Sequence, residues 1–241
     1  MTDKVTTAMV LAAGLGKRMR PLTDVVPKPL VRLKGKPLID HVLDRLAAGG
    51  ITRAVLNVHY LPDLIEAHVA KRTVPSIVIS NERDALLDTG GGVVRALPLL
   101  GNEPFLIHNS DSVWIDGVGS NIARLIAAFD PDRMDSLMLL ANGATSLGYE
   151  GRGDFCMDSD GVLLRRDEQR ESPFVFTGVS IAHPRLFENA PSGAFSLNKL
   201  WDRAIDKRRL YGLRLDGVWM HVGTPQSVEE AERWIERAEG A

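Results

Sequence analysis

Residues 11–30 read LAAGLGKRMRPLTDVVPKPL, and this run constrains the fold more than any other part of the chain. An apolar β-type stretch, Ala8-Met9-Val10-Leu11-Ala12, leads into two glycines, Gly14 and Gly16. The cations Lys17, Arg18 and Arg20 follow, and then Lys28, held between Pro27 and Pro29. A strand that breaks into a glycine loop exposes backbone N–H groups that can face phosphate oxygens. Arg18 adds a planar fork that grips phosphate bidentately, and Lys17, at the rim, adds a point charge. The prolines restrict the backbone on both sides of Lys28. The run therefore predicts a polyphosphate site at the end of a first strand.

Two common phosphate loops do not fit. A P-loop needs G-x-x-x-x-G-K-[ST], and no such string starts at Gly14 or Gly16. A dinucleotide fingerprint needs a third glycine where Met19 stands. The rest of the chain supplies the frame. Met9–Ala12 is expected as the first strand, and Leu38, Ile39, Val42, Leu43 and Leu46 recur at helical spacing up to Gly49-Gly50. Strands at Ala54–Val58, Ile77–Ile79, Phe105–Asn109 and Ser136–Leu140 alternate with helices at Leu61–Val69, Val93–Leu97 and Ile122–Phe129. Leu64, Ile65 and His68 are expected on one face of their helix. Short apolar runs between helices predict an α/β fold, a Rossmann-like, doubly wound, mostly parallel sheet. After residue 150 the pattern turns to strands and turns, Asp154–Asp158, Val162–Arg165 and Phe174–Ala182. A helix at Lys199–Lys207, a strand at Tyr211–Leu215 and a terminal helix through Ala238 follow, the last opened by Thr224 as cap and Pro225. A single domain over 1–241 is expected, with a nucleotide-binding part to about 150 and a smaller β-rich part over about 151–225.

A net charge of −2 gives no basic field for nucleic acid, and no apolar run approaches a membrane span. One cysteine, Cys156, excludes an internal disulfide and suits a reducing compartment; with no leader-like apolar segment, a cytoplasmic protein is expected. Cys156 is expected to face the core. Nothing in the sequence selects between a monomer and a small homo-oligomer.

Ligands of open α/β sheets bind beyond the carboxyl ends of the strands. The first loop, the glycines of Asp88-Thr89-Gly90-Gly91-Gly92 and the Asn109-Ser110-Asp111 turn are all expected there, in one cleft. Asn57 and His59, at the end of the second strand, are candidates for its lining. Asp111, at a strand end, is a candidate Mg²⁺ ligand, since that ion takes a carboxylate, phosphate oxygens and water; Asp116 is a weaker one.

Leu11-Ala12-Ala13-Gly14-x-Gly16-x-Arg18-Met19-x-Pro21-Leu22-Thr23, with Pro27-Lys28-Pro29, closely resembles the signature of sugar-1-phosphate nucleotidyltransferases, and similar segments run to about residue 228. The resemblance implies coupling of a nucleoside triphosphate to a sugar 1-phosphate with release of pyrophosphate. It implies that Arg18 holds the triphosphate, that Lys28 contacts the α-phosphate and that Asp111 binds the metal. It implies that Leu11, Ala12, Ala13, Gly14, Gly16, Lys17, Gly90, Gly91 and Asn109 line the nucleotide site. Gly153, Asp154 and Gly178 fall where the family builds its sugar pocket. Trp219-Met220-His221-Val222-Gly223-Thr224-Pro225 matches a closing motif that usually carries aspartate at the position of His221. Imidazole suits Mn²⁺ or Co²⁺ better than Mg²⁺. Within the family, the compact length, the three glycines, Asn109-Ser110-Asp111-x-x-Trp114 and Gly153-Asp154-Phe155 look most like the branch that transfers UMP to N-acetylmuramic acid α-1-phosphate in cell-wall recycling. Mannose-1-phosphate guanylyltransferases come next. A rival of another class is a sensor that binds nucleotide or sugar phosphate without turnover, which the departure at His221 leaves open and Arg18, Lys28 and Asp111 disfavour.

Overall fold

The structure is a computed structural model that describes residues 5–239. The first strand, β1 (Thr7–Leu11), runs into the glycine loop. A two-residue hairpin pair, β2 (Arg32–Leu33) and β3 (Lys36–Pro37), leads to α1 (Leu38–Ala48). Then β4 (Arg53–Val58), α2 (Pro62–Val69), β5 (Ser76–Asn81), α3 (Asp88–Leu100) and β6 (Phe105–Asn109) complete the first half. Next come β7 (Ser112–Asp116), α4 (Asn121–Ala128), β8 (Ser136–Asn142), β9 (Phe155–Met157), β10 (Leu163–Arg165) and β11 (Phe174–Ala182). The chain ends with α5 (Asn198–Asp206), β12 (Leu210–Arg214), β13 (Gly217–His221) and α6 (Pro225–Glu239).

Strands β5, β4, β1 and β6 lie side by side in parallel. Beyond β6 the antiparallel β11 is inserted, then β8, with β12 parallel to it. Strand order reverses about β1 and β6, so the carboxyl ends of these two strands flank the crevice where open α/β sheets bind ligands. Neighbouring residues on the central strands enter opposite layers, as the two-residue strand period requires. Val10 and Leu56 pack with Leu43 and Leu46 of α1, while Met9 and Val55 pack with Val93 and Ala96 of α3. The five periodic apolar residues of α1 are all buried. On α6, the Thr224 hydroxyl accepts the Ser227 N–H at 3.2 Å, the expected cap. No helix among the described residues is long and apolar enough to cross a membrane.

Several expectations are corrected. Helix α3 begins at Asp88, not Val93, so the three glycines lie in its first turns rather than in a preceding loop. Each glycine disfavours a helix by about 0.8–1.0 kcal/mol, and tertiary contact overrides this. Side chains at Gly90 and Gly91 would run into the Phe195 ring and the Gly193 carbonyl, and the Phe195 carbonyl accepts both their N–H groups, at 2.8 and 3.2 Å. Within residues 151–225, strands β9, β10, β11 and β12 continue the main sheet, and β13 pairs with β7. Cys156 is exposed: on the edge hairpin β9–β10 the alternation that buries Phe155 turns Cys156 outward. Leu64 is likewise exposed, and Ile65 and Val69 carry the buried stripe of α2. The sequence reading also left out an antiparallel ribbon, β7 with β13, which sets His221 opposite Ser112.

Candidate active site

The loop after β1 is tied down at each turn. The Ala12 N–H donates to Asn57 Oδ1 at 2.7 Å. Gly16 takes a left-handed φ of 62° and opens a single 3₁₀ turn, Lys17–Met19. The Thr23 hydroxyl donates to the Gly16 carbonyl at 2.8 Å, and the Tyr60 hydroxyl donates to the Thr23 carbonyl at 2.8 Å. Met19 is drawn fully into a small apolar cluster with Leu33, Leu38 and Met220. With Met19 anchored, the short turn holds Lys17 and Arg18 exposed at the cleft.

Lys28 opens a second tight turn, in which the Leu30 N–H donates to Pro27 and the Val31 N–H to Lys28. Its ammonium pairs with the carboxylate of Asp111, in the turn that joins β6 to β7. Burial pushes the Asp111 carboxyl up, but the charge and hydrogen bond of Lys28, with a smaller contribution from His221, hold it below the ordinary carboxylate value. His221 ends β13 with its ring against Gly223, where a Cβ would lie 2.7 Å from Nε2, and edge-on to Tyr149 at 6.4 Å. Burial lowers the imidazole pKa, and Arg18 and Lys28 lower it further against the opposing pull of Asp111. Among the described residues no three side chains of His, Cys, Asp or Glu converge as a metal cage. One carboxylate beside one imidazole, near a cleft lined by Lys17, Arg18 and Lys28, is a donor set that fits a Mg²⁺-type ion, which draws most of its ligands from ligand oxygens and water.

These segments enclose a cleft of about 560 Å³, within the size range of small-molecule sites. The β1 loop contributes Leu11, Ala12, Ala13, Gly14, Gly16, Lys17 and Arg18 to its wall, and Lys28, Asn109 and Asp111 line it beside the loop. The other expected residues lie elsewhere. Gly90 and Gly91 are buried behind the wall, which is formed on that side by Leu86, Asp88 and Thr89. Gly178, at the bulge in β11 with a left-handed φ of 87°, packs so closely on the Asn109 amide that a Cβ would come within 2.7 Å of Nδ2. Gly153 abuts the Ser172 carbonyl, and Asp154 Oδ2 accepts the Phe176 N–H at 2.9 Å. Both are therefore engaged in joining β9 to β11. Asp116 accepts from the Trp114 indole and the Asn121 amide and serves the β7–α4 corner.

Asn57 reaches the cleft, as considered, whereas the His59 ring bonds the Glu82 carbonyl at 2.7 Å. Leu86 and the buried Glu82 were not foreseen. A glutamate just beyond a strand reads as a solvated turn residue, and only the tertiary packing encloses it.

The nucleotidyl transferase family model matches residues 7–144, more than half of the chain and all of the segment that forms the cleft's first walls. The chain is 46% identical over 99% of its length, and 100% of the relative's, to the N-acetylmuramate alpha-1-phosphate uridylyltransferase of Caulobacter vibrioides. It is 34% identical over 93% of its length, and 96% of the relative's, to the protein of that name from Neisseria meningitidis. A crystal structure of UDP-glucose pyrophosphorylase complexed with UDP-glucose superposes with a TM-score of 0.78 at 16% identity, covering 97% of this chain and 99% of the other, which shows a common fold. A glycine loop at the strand-order reversal, read together with likeness over almost the full length, gives the conclusion that the chain belongs to the nucleotidyl transferase family.

Proposed function

We propose that the chain transfers UMP from UTP to N-acetylmuramic acid α-1-phosphate, releasing pyrophosphate. The observation that carries this reading is the cleft at the carboxyl ends of β1 and β6, lined by Lys17, Arg18 and Lys28 from two neighbouring turns, combined with 46% identity across the chain to a relative of that specificity. In the transfer, an oxygen of the sugar phosphate forms a bond to the α-phosphorus of UTP. The bond from that phosphorus to the bridging oxygen of the β-phosphate breaks, and the electron pair leaves with pyrophosphate. The attacking oxygen is already an anion at neutral pH, so no strong general base is required. The work left to the protein is to align the reactants and to offset charge.

Arg18, exposed at the cleft and free of any ion pair among the described residues, is assigned to the triphosphate. Lys28 is assigned to the α-phosphate. Lys28 exchanges part of its attraction to Asp111 for the incoming phosphate, so the ion pair stores the ammonium in place before substrate arrives. Backbone N–H groups of the Ala13–Gly16 segment are assigned to the β- and γ-phosphates. Asp111, with His221 beside it, is assigned to a divalent cation, which when bound supplies further neutralisation of phosphate charge. Exclusion of water falls to the walls contributed by Leu86 and Pro29.

The test is thermal stability and pyrophosphate release with each of the four nucleoside triphosphates, against N-acetylmuramic acid α-1-phosphate and mannose 1-phosphate. A ligand that binds only the native state raises apparent stability. The largest shift is expected with UTP, and turnover with the muramic acid ester. A larger shift with GTP and turnover with mannose 1-phosphate overturn the assignment, and binding without any pyrophosphate release favours a sensor.

A further inference from the structure

Glu82 lies behind the cleft, not in it. It follows the last residue of β5 and is fully buried. Neither carboxylate oxygen is idle. Oε1 accepts Asn57 Nδ2–H at 2.8 Å, and Oε2 accepts the Leu87 N–H at a longer 3.4 Å. Asn57 presents its own oxygen to the Ala12 N–H at 2.7 Å. The two ends of this chain belong to two segments that line the cleft: Ala12 is in the β1 loop, and Leu87 sits between the lining residues Leu86 and Asp88. Gly92 makes room for it, since a Cβ there would lie 2.8 Å from both Asn57 Nδ2 and Glu82 Oε1.

The donors and acceptors have one possible order. Asn57 must give its oxygen to Ala12, because a backbone N–H only donates, and so must give its NH₂ to residue 82. Residue 82 then has to accept on both of its terminal atoms, from Asn57 on one and from Leu87 on the other, which a carboxylate does and an amide, with one oxygen and one NH₂, does not. Burial raises the Glu82 pKa, opposed by the bonds from Asn57 and Leu87 and by the charges of Arg95 and His59. A buried carboxylate is costly unless its hydrogen bonds are made, so a side chain that merely filled space here would be apolar.

We propose that Glu82 and Asn57 are positioning residues, a strut of fixed hydrogen-bond polarity that sets the β1 loop and the Leu86–Thr89 wall at the separation a nucleoside triphosphate needs. The proposal rests on the reading of the cleft as a nucleotide site.

The test uses the full chain, with UTP as probe, in three forms: wild type, Glu82→Gln, and the double variant Asn57→Asp with Glu82→Gln. In the single variant the new amide can satisfy one neighbour only, so a donor meets a donor at Ala12 or at Leu87. In the double variant the aspartate accepts from Ala12 and from the new amide, whose oxygen accepts from Leu87, and every bond is restored with the charge moved one residue along the strut. Glu82→Gln is expected to raise the KM for UTP at least about tenfold, with the KM for the sugar phosphate changed by less than about threefold, and the double variant to return the UTP value to within about threefold of wild type. Hydrogen exchange in nucleotide-free protein reads the strut without catalysis: the Ala12 amide or the Leu87 amide loses protection in the single variant, and both regain it in the double. A single variant with wild-type UTP affinity overturns the proposal, as does a double variant no better than the single or unable to fold. If the wild type binds no nucleoside triphosphate, the functional reading fails while the exchange measurement still decides the strut.

Discussion

Asp111 and Asp154 invite comparison. Both are aspartates at strand ends on the cleft side of one sheet, and both were expected to contact ligand. Asp111 has a side-chain cation as its partner, the Lys28 ammonium, at the edge of the cleft. Asp154 has a backbone partner, the Phe176 N–H, inside the joint between β9 and β11. A flexible ammonium can be shared with an arriving phosphate, whereas a backbone amide cannot be withdrawn without opening a strand pair. The exchangeability of the partner, more than the type of residue or its place at a strand end, separates a carboxylate available for chemistry from one committed to architecture.

The sharpest way to break this comparison is Asp111→Asn, which keeps the shape but removes the charge that balances Lys28 and that is proposed to hold the cation. Turnover is expected to fall by at least about a hundredfold, with circular dichroism unchanged; near-normal pyrophosphate release with Mg²⁺ would put Asp111 alongside Asp154. Arg18→Ala comes next. It should lower kcat/KM at least about tenfold, roughly 1.4 kcal/mol of transition-state stabilisation, and lysine should restore only part because an ammonium makes no planar bidentate contact. A kinetically silent Arg18→Ala would mean that the exposed face of the loop is not where the triphosphate lies. His221→Asp tests the second metal position. If His221 is a ligand, Mn²⁺ or Co²⁺ should support more activity than Mg²⁺ in the wild type, and the variant should move the ranking towards Mg²⁺ in a titration at pH 8. An unchanged ranking leaves His221 as a phosphate contact or a packing residue. The smallest catalytic effect is expected for Asp154→Ala: kcat within about threefold of wild type, but stability lower by about 1–2 kcal/mol, read by thermal or urea melts. Lost turnover at full stability would return Asp154 to the sugar site.

The outline of the fold was legible where local pattern and tertiary role agree. The five apolar residues of α1 and the alternation of short strands with helices predicted the layers, and the glycine loop with its cations marked the cleft. Legibility failed where the deciding contact is distant in sequence. The glycines of α3 read as a loop because Phe195 and Gly193, which require their smallness, lie about a hundred residues downstream. Cys156 read as a core residue because nothing local shows that its hairpin stands at a sheet edge. Glu82 was passed over because burial of a lone glutamate depends on Asn57, on Gly92 and on the turn that closes over it.

The β7–β13 ribbon carries a consequence for how the molecule is made. Its Ser112–His221 register joins two points about a hundred residues apart, and contacts of such long range cost more loop-closure entropy than helices or neighbouring parallel strands do. As the chain leaves the ribosome, the glycine loop, Lys28 and Asp111 emerge about a hundred residues or more before the strand that seats His221. A chain stalled before residue 217 holds the cations of the cleft without the β7–β13 ribbon, so Lys28 and Asp111 are made long before the strand that seats His221 beside them.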